Sequence, residues 1–199
     1  MSTLASISTR HSQYSLTGTS KVSDEDVAKL VKDITVKVPS AFNSQPQRVV
    51  VLFGEGHKKV WDIVKDSLRK VVDDEEAFKQ TSQKIDSFAA AHGTVLYFDD
   101  TTVTDGLVEK FPLYADNFPV WAQQANGMLQ FAVWTALSEA GLGASLQHYN
   151  PLINDAVRAA FELPEHWNLL AQMPFGDIVD PAGEAEHAPI DERVKVFGL

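Results

Sequence analysis

Apolar side chains recur at helical spacing in several stretches of the chain. The pattern predicts a helix beginning at Ser23 and further helices over residues 57–72, 78–91, 121–140 and 154–161. Ser23 suits an N-cap because an acidic residue, Asp26, follows three positions later. The apolar stripe along residues 121–140 is wide, so we expect that helix at the centre of the core or in a subunit interface. Gly141 follows directly and is expected to end it as a C-terminal cap.

Runs of β-branched and other apolar residues predict the strands. Residues 48–53 form a nearly continuous run between a proline and a glycine, as expected of a strand that is buried on both faces. Residues 54–56 are expected to be the turn after it. Further strands are predicted at residues 94–98 and 169–179, where Gly176 indicates a bulge or a close approach of another segment.

The remaining segments are expected to be irregular. Residues 104–119 combine prolines with aromatic residues and have the length of a lid or a pocket-covering excursion. Residues 145–151 are predicted to form a short strand and loop, and residues 190–199 a C-terminal arm. If this arm is extended, Arg193 and Lys195 lie on one face of it because they are two positions apart.

Composition narrows the possible functions. The chain has 199 residues with 44% hydrophobic and 22% charged content, which predicts one domain over residues 1–199. The formal net charge of −10 disfavours wide contact with nucleic acid or an anionic membrane, so an anionic ligand would need a local basic site. With no cysteine, no run of transmembrane length and no signal pattern, we expect the protein in the cytoplasm. Asp99 and Asp100 lack a third acid or histidine at ligand spacing, and no metal site is expected.

The least ordinary stretch is residues 38–48, which combine prolines, serines, asparagine and glutamine around one aromatic residue, Phe42. Pro39 suits the first position of a turn or short helix and would leave the next backbone amides free to point outward. Those amides, with Ser40 and Asn43 beside them, suit an anionic or planar, amide-rich ligand. The alternative is a helix-to-strand connection whose polar side chains satisfy their own backbone.

Two further groups of residues have candidate roles. Arg10, His11 and Ser12 are the donor types that bind phosphate, although such a triplet is commonly just exposed to solvent without a binding role. His148 and Lys84 are most simply a hydrogen-bonded loop residue and a solvated side chain, and Lys84 could also face a ligand.

Three blocks of sequence, in this order and spacing, resemble the nitroreductase family of FMN-dependent oxidoreductases. They are Arg10-His11-Ser12, the run Pro39-Ser40-Ala41-Phe42-Asn43-Ser44-Gln45-Pro46, and the run Gly141-Leu142-Gly143-Ala144-Ser145-Leu146-Gln147-His148-Tyr149. The resemblance extends from about residue 6 to residue 196. Residues 147–151 and 192–198 are most similar to the fungal and bacterial fatty-acid-response and copper-induced subgroup.

The resemblance implies an α+β fold with a mostly antiparallel central sheet, helices on both faces, and an intertwined homodimer with FMN at the subunit interface. The residues that it implies for the cofactor fall into three groups. They are Arg10, His11, Ser12 and Tyr14 for the phosphate and ribityl chain; Pro39, Ser40, Ala41, Asn43 and Gln45 of the other subunit for the isoalloxazine; and Gln147, His148 and Tyr149 for the opposite flavin edge, with backbone amides near N5.

The C-terminal phosphate contacts depart from the family. Many members have a basic pair just before a C-terminal proline, whereas Glu186 and His187 stand close before Pro189 here. We therefore assign Arg193 and Lys195 as the substitutes. The family's glutamate in the flavin loop is replaced by His148 or a neighbour, which leaves a role for the backbone there.

The resemblance implies an FMN-dependent NAD(P)H oxidoreductase, a nitroreductase or quinone reductase, that passes hydride through flavin N5 by a ping-pong scheme. The flavin carries the chemistry and no catalytic side chain is required. We predict that Phe42, Tyr97 and Phe118 line the substrate slot with Tyr149, although core packing explains each of them equally well. One alternative is a flavin-binding stress-response or regulatory protein with little turnover, and another is a helix-rich scaffold without a cofactor.

Overall fold

The structure, a computed structural model, describes residues 2–183 and 185–198. The helices are α1 (Thr3–Thr9), α2 (Asp24–Lys37), α3 (Gly54–Arg69), α4 (Glu75–Ala89), α5 (Thr101–Lys110), α6 (Phe118–Glu139), α7 (Asn154–Ala160) and α8 (Ile190–Arg193). The strands are β1 (Ser15–Thr17), β2 (Gln47–Phe53), β3 (Gly93–Asp100), β4 (Gly143–Ala144) and β5 (Trp167–Asp180). Short 3-10 turns cover Ala41–Asn43 and Pro112–Tyr114.

The strands form a five-stranded sheet in the order β1-β5-β3-β2, with β4 also paired to β5. All of these strand pairings are antiparallel, which confirms the predicted α+β class with an antiparallel sheet. Strand β3 is buried along its whole length. The prediction that residues 48–53 are buried on both faces is wrong, because β2 lies at the edge of the sheet and most of its residues are half-buried. A β-branched run does not determine a strand's position in the sheet.

Helices cover both faces of the sheet, as predicted. Alternate residues of a strand point to opposite faces, so β3 contributes to two separate cores. Val95 and Tyr97 pack against α2 and α6, and Leu96 and Phe98 pack against α3, α4 and α7. We call the first layer the α2/α6 face and the second the α3/α4 face.

Helix α6 is the longest helix and supports the α2/α6 face. Its buried residues include Ala122, Ala125, Leu129 and Val133, at the spacing of one helix face. The Asn126 amide donates to the carbonyl of Phe98 at 2.9 Å, where the pairing of β3 with β5 shifts register. In the described part of the chain, no helix is both long enough and apolar enough to span a bilayer.

Several local predictions are confirmed. The Ser23 hydroxyl accepts the Asp26 amide at 3.1 Å and caps α2. Gly141, with φ of 80°, follows the end of α6 in the left-handed conformation that favours glycine. A Cβ at Gly176 would stand 2.4 Å from the carbonyl oxygen of Thr17, which confirms a close approach of β1.

Two local predictions are wrong. Residues 104–110, predicted to be part of an irregular stretch over 104–119, belong to α5, because the Asp100 carboxylate accepts the Thr102 amide at 3.1 Å and caps a helix there. Residues 54–56 do not form a separate turn, since α3 begins directly at Gly54 with a φ of 50°.

Candidate functional site

Arg10 lies directly after α1 and is held against the exposed side of α6. Its guanidinium carbon stands 4.2 Å from the ring centroid of Trp134 and 5.9 Å from that of Phe131. The Nε atom is buried and has no hydrogen-bond partner. None of the ion pairs in residues 2–183 and 185–198 includes Arg10. The charge is therefore positioned by aromatic stacking and is available to an anion.

The Arg-His-Ser block and the glycine-rich block meet within the one chain. Ser12 forms a parallel bridge with Ala144, whose carbonyl accepts the Gln13 amide at 2.9 Å. The Trp134 indole donates to the same carbonyl at 3.1 Å. A Cβ at Gly143 would stand 2.6 Å from a Leu16 methyl group and 2.9 Å from the Gln13 Cβ, so this close approach requires glycine. Tyr14, the next predicted contact, is largely exposed.

The residues after Ala144 extend along β5. The amides of Ser145 and Gln147 donate to carbonyls of β5 at 3.4 and 2.7 Å. The amides of the alternating residues, Leu146 and His148, donate to no atom of the described chain. Since the residues of an extended segment bond alternately to its two edges, these amides lie on the edge where Ala144 receives the Arg10–Gln13 arm. His148 is exposed, whereas Gln147 is buried and Tyr149 half-buried.

The Pro39–Pro46 segment is a short strained turn. The predicted free amides are those of Ala41 and Phe42, since the Asn43 amide donates to the Ser40 carbonyl at 3.0 Å. The Ser40 hydroxyl also accepts the amide of Gln45 at 2.8 Å. The turn begins at Ala41, two positions after Pro39. Phe42, Asn43 and Gln45 have positive φ angles of 58°, 51° and 52°, which is costly for residues with a Cβ.

Phe42 and Tyr114 are the exposed members of an aromatic cluster. The Phe42 ring centroid lies between 5.1 and 6.4 Å from those of Phe111, Tyr114, Phe118 and Trp121. A cleft of ≈ 280 Å³ opens beside it and is lined by Ala41, Phe42, Trp121, Gln124 and Met128. Phe118 is 2% exposed and supports the cluster from below.

Tyr97 is fully buried and donates to the sulfur of Met173 at 3.5 Å. Burial raises its pKa well above the usual value. The prediction that Tyr97 lines a slot is wrong, because β3 is central and neither of its faces reaches the surface at this position.

Within the chain, the Arg10 arm and the Pro39–Pro46 turn lie at different ends of α6. Arg10 stacks on Trp134, and Phe42 stacks on Trp121. The two tryptophans are thirteen positions apart, which corresponds to about 20 Å of helical rise. The first and third sequence blocks thus lie together, and the second lies apart from them.

The other assigned cations are outside this group. Lys84 is exposed on α4, on the α3/α4 face, with its ammonium 6.0 Å from the Phe88 ring centroid. Arg193 ends α8 and is exposed, and the Lys195 ammonium donates to the Asp191 carbonyl at 2.6 Å. The arm that carries Arg193 and Lys195 is helical at Arg193 and is not extended throughout.

Asp99 and Asp100 have opposite electrostatic environments at the end of β3. Burial opposes ionisation of Asp100, but hydrogen bonds from Thr102 and the charge of Arg48, 2.7 Å away, outweigh it and lower its pKa. Burial and the neighbouring Asp100 raise the pKa of Asp99 to about 6. One Asp99 oxygen and the Thr104 hydroxyl are buried without a partner. In the described parts of the chain, no three acidic or histidine side chains are grouped to hold a metal ion.

A sequence profile of the nitroreductase family matches residues 7–177. The chain belongs to the nitroreductase family. It is 38% identical to HBN1 of Saccharomyces cerevisiae over 177 residues, which is 89% of this chain and 86% of that protein. It is 35% identical to the nitroreductase FRM2 of the same yeast over 173 residues, 87% of this chain and 84% of that protein. The structure of nitroreductase CinD from Lactococcus lactis in complex with nicotinic acid is 43% identical, covers 99% of this chain and 100% of its own, and superposes with a TM-score of 0.90.

Two residues of the candidate site were not predicted from the sequence. Trp134 orients Arg10, and Gln172 bonds the segment beneath His148. Both lie in apolar runs that predict core packing. The feature of the sequence that could have identified them is a polar side-chain atom that needs a hydrogen-bond partner when it is buried.

Proposed function

We propose that this protein is an FMN-dependent NAD(P)H oxidoreductase that reduces quinones or nitroaromatic compounds by a ping-pong scheme. The observation that carries the proposal is the unpaired guanidinium of Arg10, stacked on Trp134. It lies beside an edge whose next open amides are those of Leu146 and His148. A cation next to a row of donors suits a phosphorylated ligand with a planar, acceptor-rich ring.

Relatives support the ligand class. CinD from Lactococcus lactis has been solved with nicotinic acid, with chloramphenicol and with 4-nitrophenol, at 42 to 43% identity to this chain. These ligands are a pyridine acid and nitroaromatic compounds. A protein of the same fold from Desulfovibrio desulfuricans has been solved with FMN, and at 21% identity that likeness concerns the fold.

The residues present fit FMN. Bound FMN would accept and release hydride at N5. Arg10, with His11 and Ser12, would hold the phosphate, and the orphaned Arg10 Nε would gain a partner. The amides of Leu146 and His148 would donate to one edge of the ring, and those of Ala41 and Phe42 to the other. Phe42 and Trp121 would exclude water from the cleft where a planar acceptor enters.

We include a homodimer with shared sites in the proposal. The separation of about 20 Å along α6 places the Pro39–Pro46 turn too far from Arg10 to serve the same ring in one subunit. A cleft of ≈ 550 Å³ runs between α2 and the edge strand β2. Apolar side chains at Ile190, Val194, Val196 and Phe197 are exposed on the C-terminal arm, as expected of an interface. We place the dimer in the cytoplasm, as the absence of cysteine allows.

The cofactor is tested by the visible spectrum of the purified protein and by Arg10→Ala. We expect a yellow protein and at least a tenfold loss of FMN affinity in the variant, because a charged hydrogen-bonding anchor is removed. Arg69→Ala is the matched control, since Arg69 pairs with Glu75 on the surface of α3. Full flavin retention in Arg10→Ala would contradict the phosphate role.

Turnover is tested by adding NAD(P)H and then a quinone. Bleaching followed by reoxidation supports the oxidoreductase. A protein that stays yellow under NAD(P)H would favour the flavin-binding regulatory alternative.

The shared site is tested by mixing two inactive variants. Arg10→Ala damages the site through one subunit, and Ala41→Pro removes an open amide from the other. In a mixed dimer one site carries both defects and the other carries none. Random mixing should therefore restore about a quarter of the sites. If mixing restores no activity although mixed dimers form, each site belongs to one subunit.

A further inference from the structure

The Arg10 side chain is held mainly by one aromatic ring. Its guanidinium carbon lies 4.2 Å from the ring centroid of Trp134 and 5.9 Å from that of Phe131. The attraction of a cation for an aromatic face extends to about 6 Å from the centroid, so Phe131 lies at its limit. In the described chain, the buried Nε atom has no hydrogen-bond partner and no carboxylate pairs with the guanidinium. The orientation of the Arg10 charge therefore depends chiefly on Trp134.

The Trp134 ring is itself fixed in place. Its indole N–H donates to the carbonyl oxygen of Ala144 at 3.1 Å. Ala144 is 1% exposed and belongs to β4, which pairs with β5. The buried part of the indole packs against the core of the α2/α6 face. A ring that is attached both to the backbone of α6 and, through its nitrogen, to β4 presents a fixed face to Arg10.

The Ala144 carbonyl connects this ring to the backbone of the Arg10–Gln13 arm. The same oxygen accepts the Gln13 amide at 2.9 Å, so two donors use its two lone pairs. The ring beneath the Arg10 guanidinium and the backbone that carries it are therefore both held to one buried atom. The charge thus has a defined position relative to the open amide of Leu146, two residues beyond Ala144.

An aromatic ring restrains the Arg10 side chain in a way that suits anion binding. A carboxylate would also hold a guanidinium, but it would compete with an anionic ligand for the same donors. The face of an indole attracts the cation without using its N–H groups. An arginine that is already stacked also loses less rotamer freedom when it binds an anion than a solvated one does. Packing alone would be met by any apolar side chain of similar volume at this position.

We propose that Trp134 is a positioning residue that makes the site prefer FMN to riboflavin, by holding the Arg10 guanidinium where the flavin phosphate binds. The inference rests on the proposed function for its ligand. Riboflavin and FMN share the ring and the ribityl chain and differ only in the phosphate. A positioning role therefore predicts an effect of Trp134 on FMN alone, whereas a packing role predicts equal effects on the two flavins.

Trp134→Leu tests the proposal, because leucine removes the aromatic face and keeps an apolar side chain. In titrations of the flavin-free protein, we expect FMN to bind about fivefold more weakly to the variant, and riboflavin to change by less than about twofold. Trp134→Phe retains an aromatic face and should recover part of the FMN affinity. If Trp134→Leu does not fold, Trp134→Met removes the same ring.

Two further variants show whether Trp134 acts through Arg10. Adding Trp134→Leu to Arg10→Ala should weaken FMN binding no further than Arg10→Ala alone, because the ring then has no cation to hold. Trp167→Leu is the matched control. Trp167 is a half-buried tryptophan at the start of β5, with its ring centroid 5.8 Å from that of Phe98, and its replacement should leave the preference for FMN over riboflavin unchanged.

The stacking itself can be measured by NMR in the protein without flavin. Because the Arg10 guanidinium lies over the Trp134 ring, the ring current should shift the Arg10 Nε proton upfield of those of the other arginines. The resonance is assigned by its loss in Arg10→Lys. In Trp134→Leu the upfield shift should disappear.

The outcomes distinguish this inference from the function on which it rests. Equal losses of FMN and riboflavin affinity in Trp134→Leu would overturn the positioning role. Additive losses in the double variant would overturn it as well, since Trp134 would then act independently of Arg10. An Arg10 Nε proton without an upfield shift in the wild type would overturn the stacking. A wild-type protein that binds neither flavin would refute the proposed function, and the NMR measurement would still decide whether Trp134 holds Arg10.

Discussion

The two faces of the sheet differ in how their polar groups are paired. On the α3/α4 face, the buried hydroxyl of Thr94 accepts a hydrogen bond from the Trp61 indole at 2.9 Å. The same hydroxyl lies 2.8 Å from Nδ1 of His57, and Nε2 of His57 lies 3.1 Å from the Ala89 carbonyl oxygen. Buried polar atoms without a partner occur on both faces: those of Arg10 and Asp99 on the α2/α6 face, and those of Asn154 and Gln172 on the α3/α4 face. On the α2/α6 face, Met128 and Phe131 are also exposed. The α3/α4 face thus has a hydrogen-bonded network inside its core, whereas the α2/α6 face has an unpaired cation and exposed apolar side chains at its surface.

The largest expected effect is a core truncation on the α3/α4 face. Phe88→Ala should lower the free energy of unfolding by about 3–5 kcal/mol, because Phe88 is 2% exposed and packs on Trp61. Urea denaturation measures it. Met128→Ala, on the exposed side of α6, is the control and should change monomer stability by less than about 0.5 kcal/mol. Equal losses in the two variants would remove the contrast between the faces.

A smaller effect is expected on the α2/α6 face, where the Arg10–Gln13 arm packs closely against Gly143. Gly143→Ala should cost about 1–3 kcal/mol, because its methyl group would overlap side chains of Leu16, Ile178 and Gln13. Thermal unfolding measures the cost, and Gly127→Ala is the control, since no atom lies within 4 Å of a Cβ there. A stable Gly143→Ala protein would show that the Arg10 arm can move away from β4.

The α3/α4 face should lose stability in acid through His57. Burial lowers the pKa of His57, so below about pH 6.5 the unfolded chain takes up a proton that the native state does not. Stability should then fall with decreasing pH, by at most about 1.4 kcal/mol per pH unit. The titration is best followed in a His92→Asn, Asp99→Asn background. Hydrogen bonds to Gly18 and Asp24 overcome burial and raise the pKa of His92, and Asp99, with a pKa of about 6, changes stability in the opposite direction over the same range. Constant stability between pH 7 and 5 in that background would contradict the buried neutral imidazole.

The smallest expected effect is a pH dependence of stability through Asp99, on the α2/α6 face, and its sign is opposite to that of His57. The pKa of Asp99 is raised to about 6, so the native state keeps a proton that the unfolded chain releases above about pH 4. Its contribution to stability is lost as the pH rises through 6. Asp99→Asn should be more stable than wild type at pH 7, by on the order of 1 kcal/mol because solvent screens the charge, and should match it at pH 4. Asp105→Asn is a surface control on α5. A wild-type advantage at pH 7 would mean that the charged carboxylate has a partner.

Sequence reasoning succeeded where a local signal determines the structure. Ser23 caps α2 through its own side chain, and Gly141 ends α6 through its own backbone. It failed at α5, where Thr101, Thr102 and Gly106 are poor helix formers and the helix depends on capping by Asp100. It also failed at β2, because the order of strands depends on partners that are distant in sequence.

The candidate site was predicted in part for the same reason. Arg10, Ser12 and the run ending at Tyr149 could be grouped by resemblance, and the structure brings them together through Ala144. Tyr97 could not be excluded from the slot without knowing that β3 is central. Gln172 could not be found from a sequence motif, because its contact with Gln147 depends on the register of two segments that are distant in sequence.

The span of α6 between Trp121 and Trp134 also restricts which insertions and deletions this helix can tolerate. Each inserted residue would rotate the rest of the helix by about 100° and advance it by about 1.5 Å, so a single insertion would turn Trp134 away from Arg10. Insertions of about seven residues, two turns, would restore the facing but lengthen the gap by about 10 Å. This helix therefore acts as a spacer of fixed length between the Arg10 arm and the Pro39–Pro46 turn.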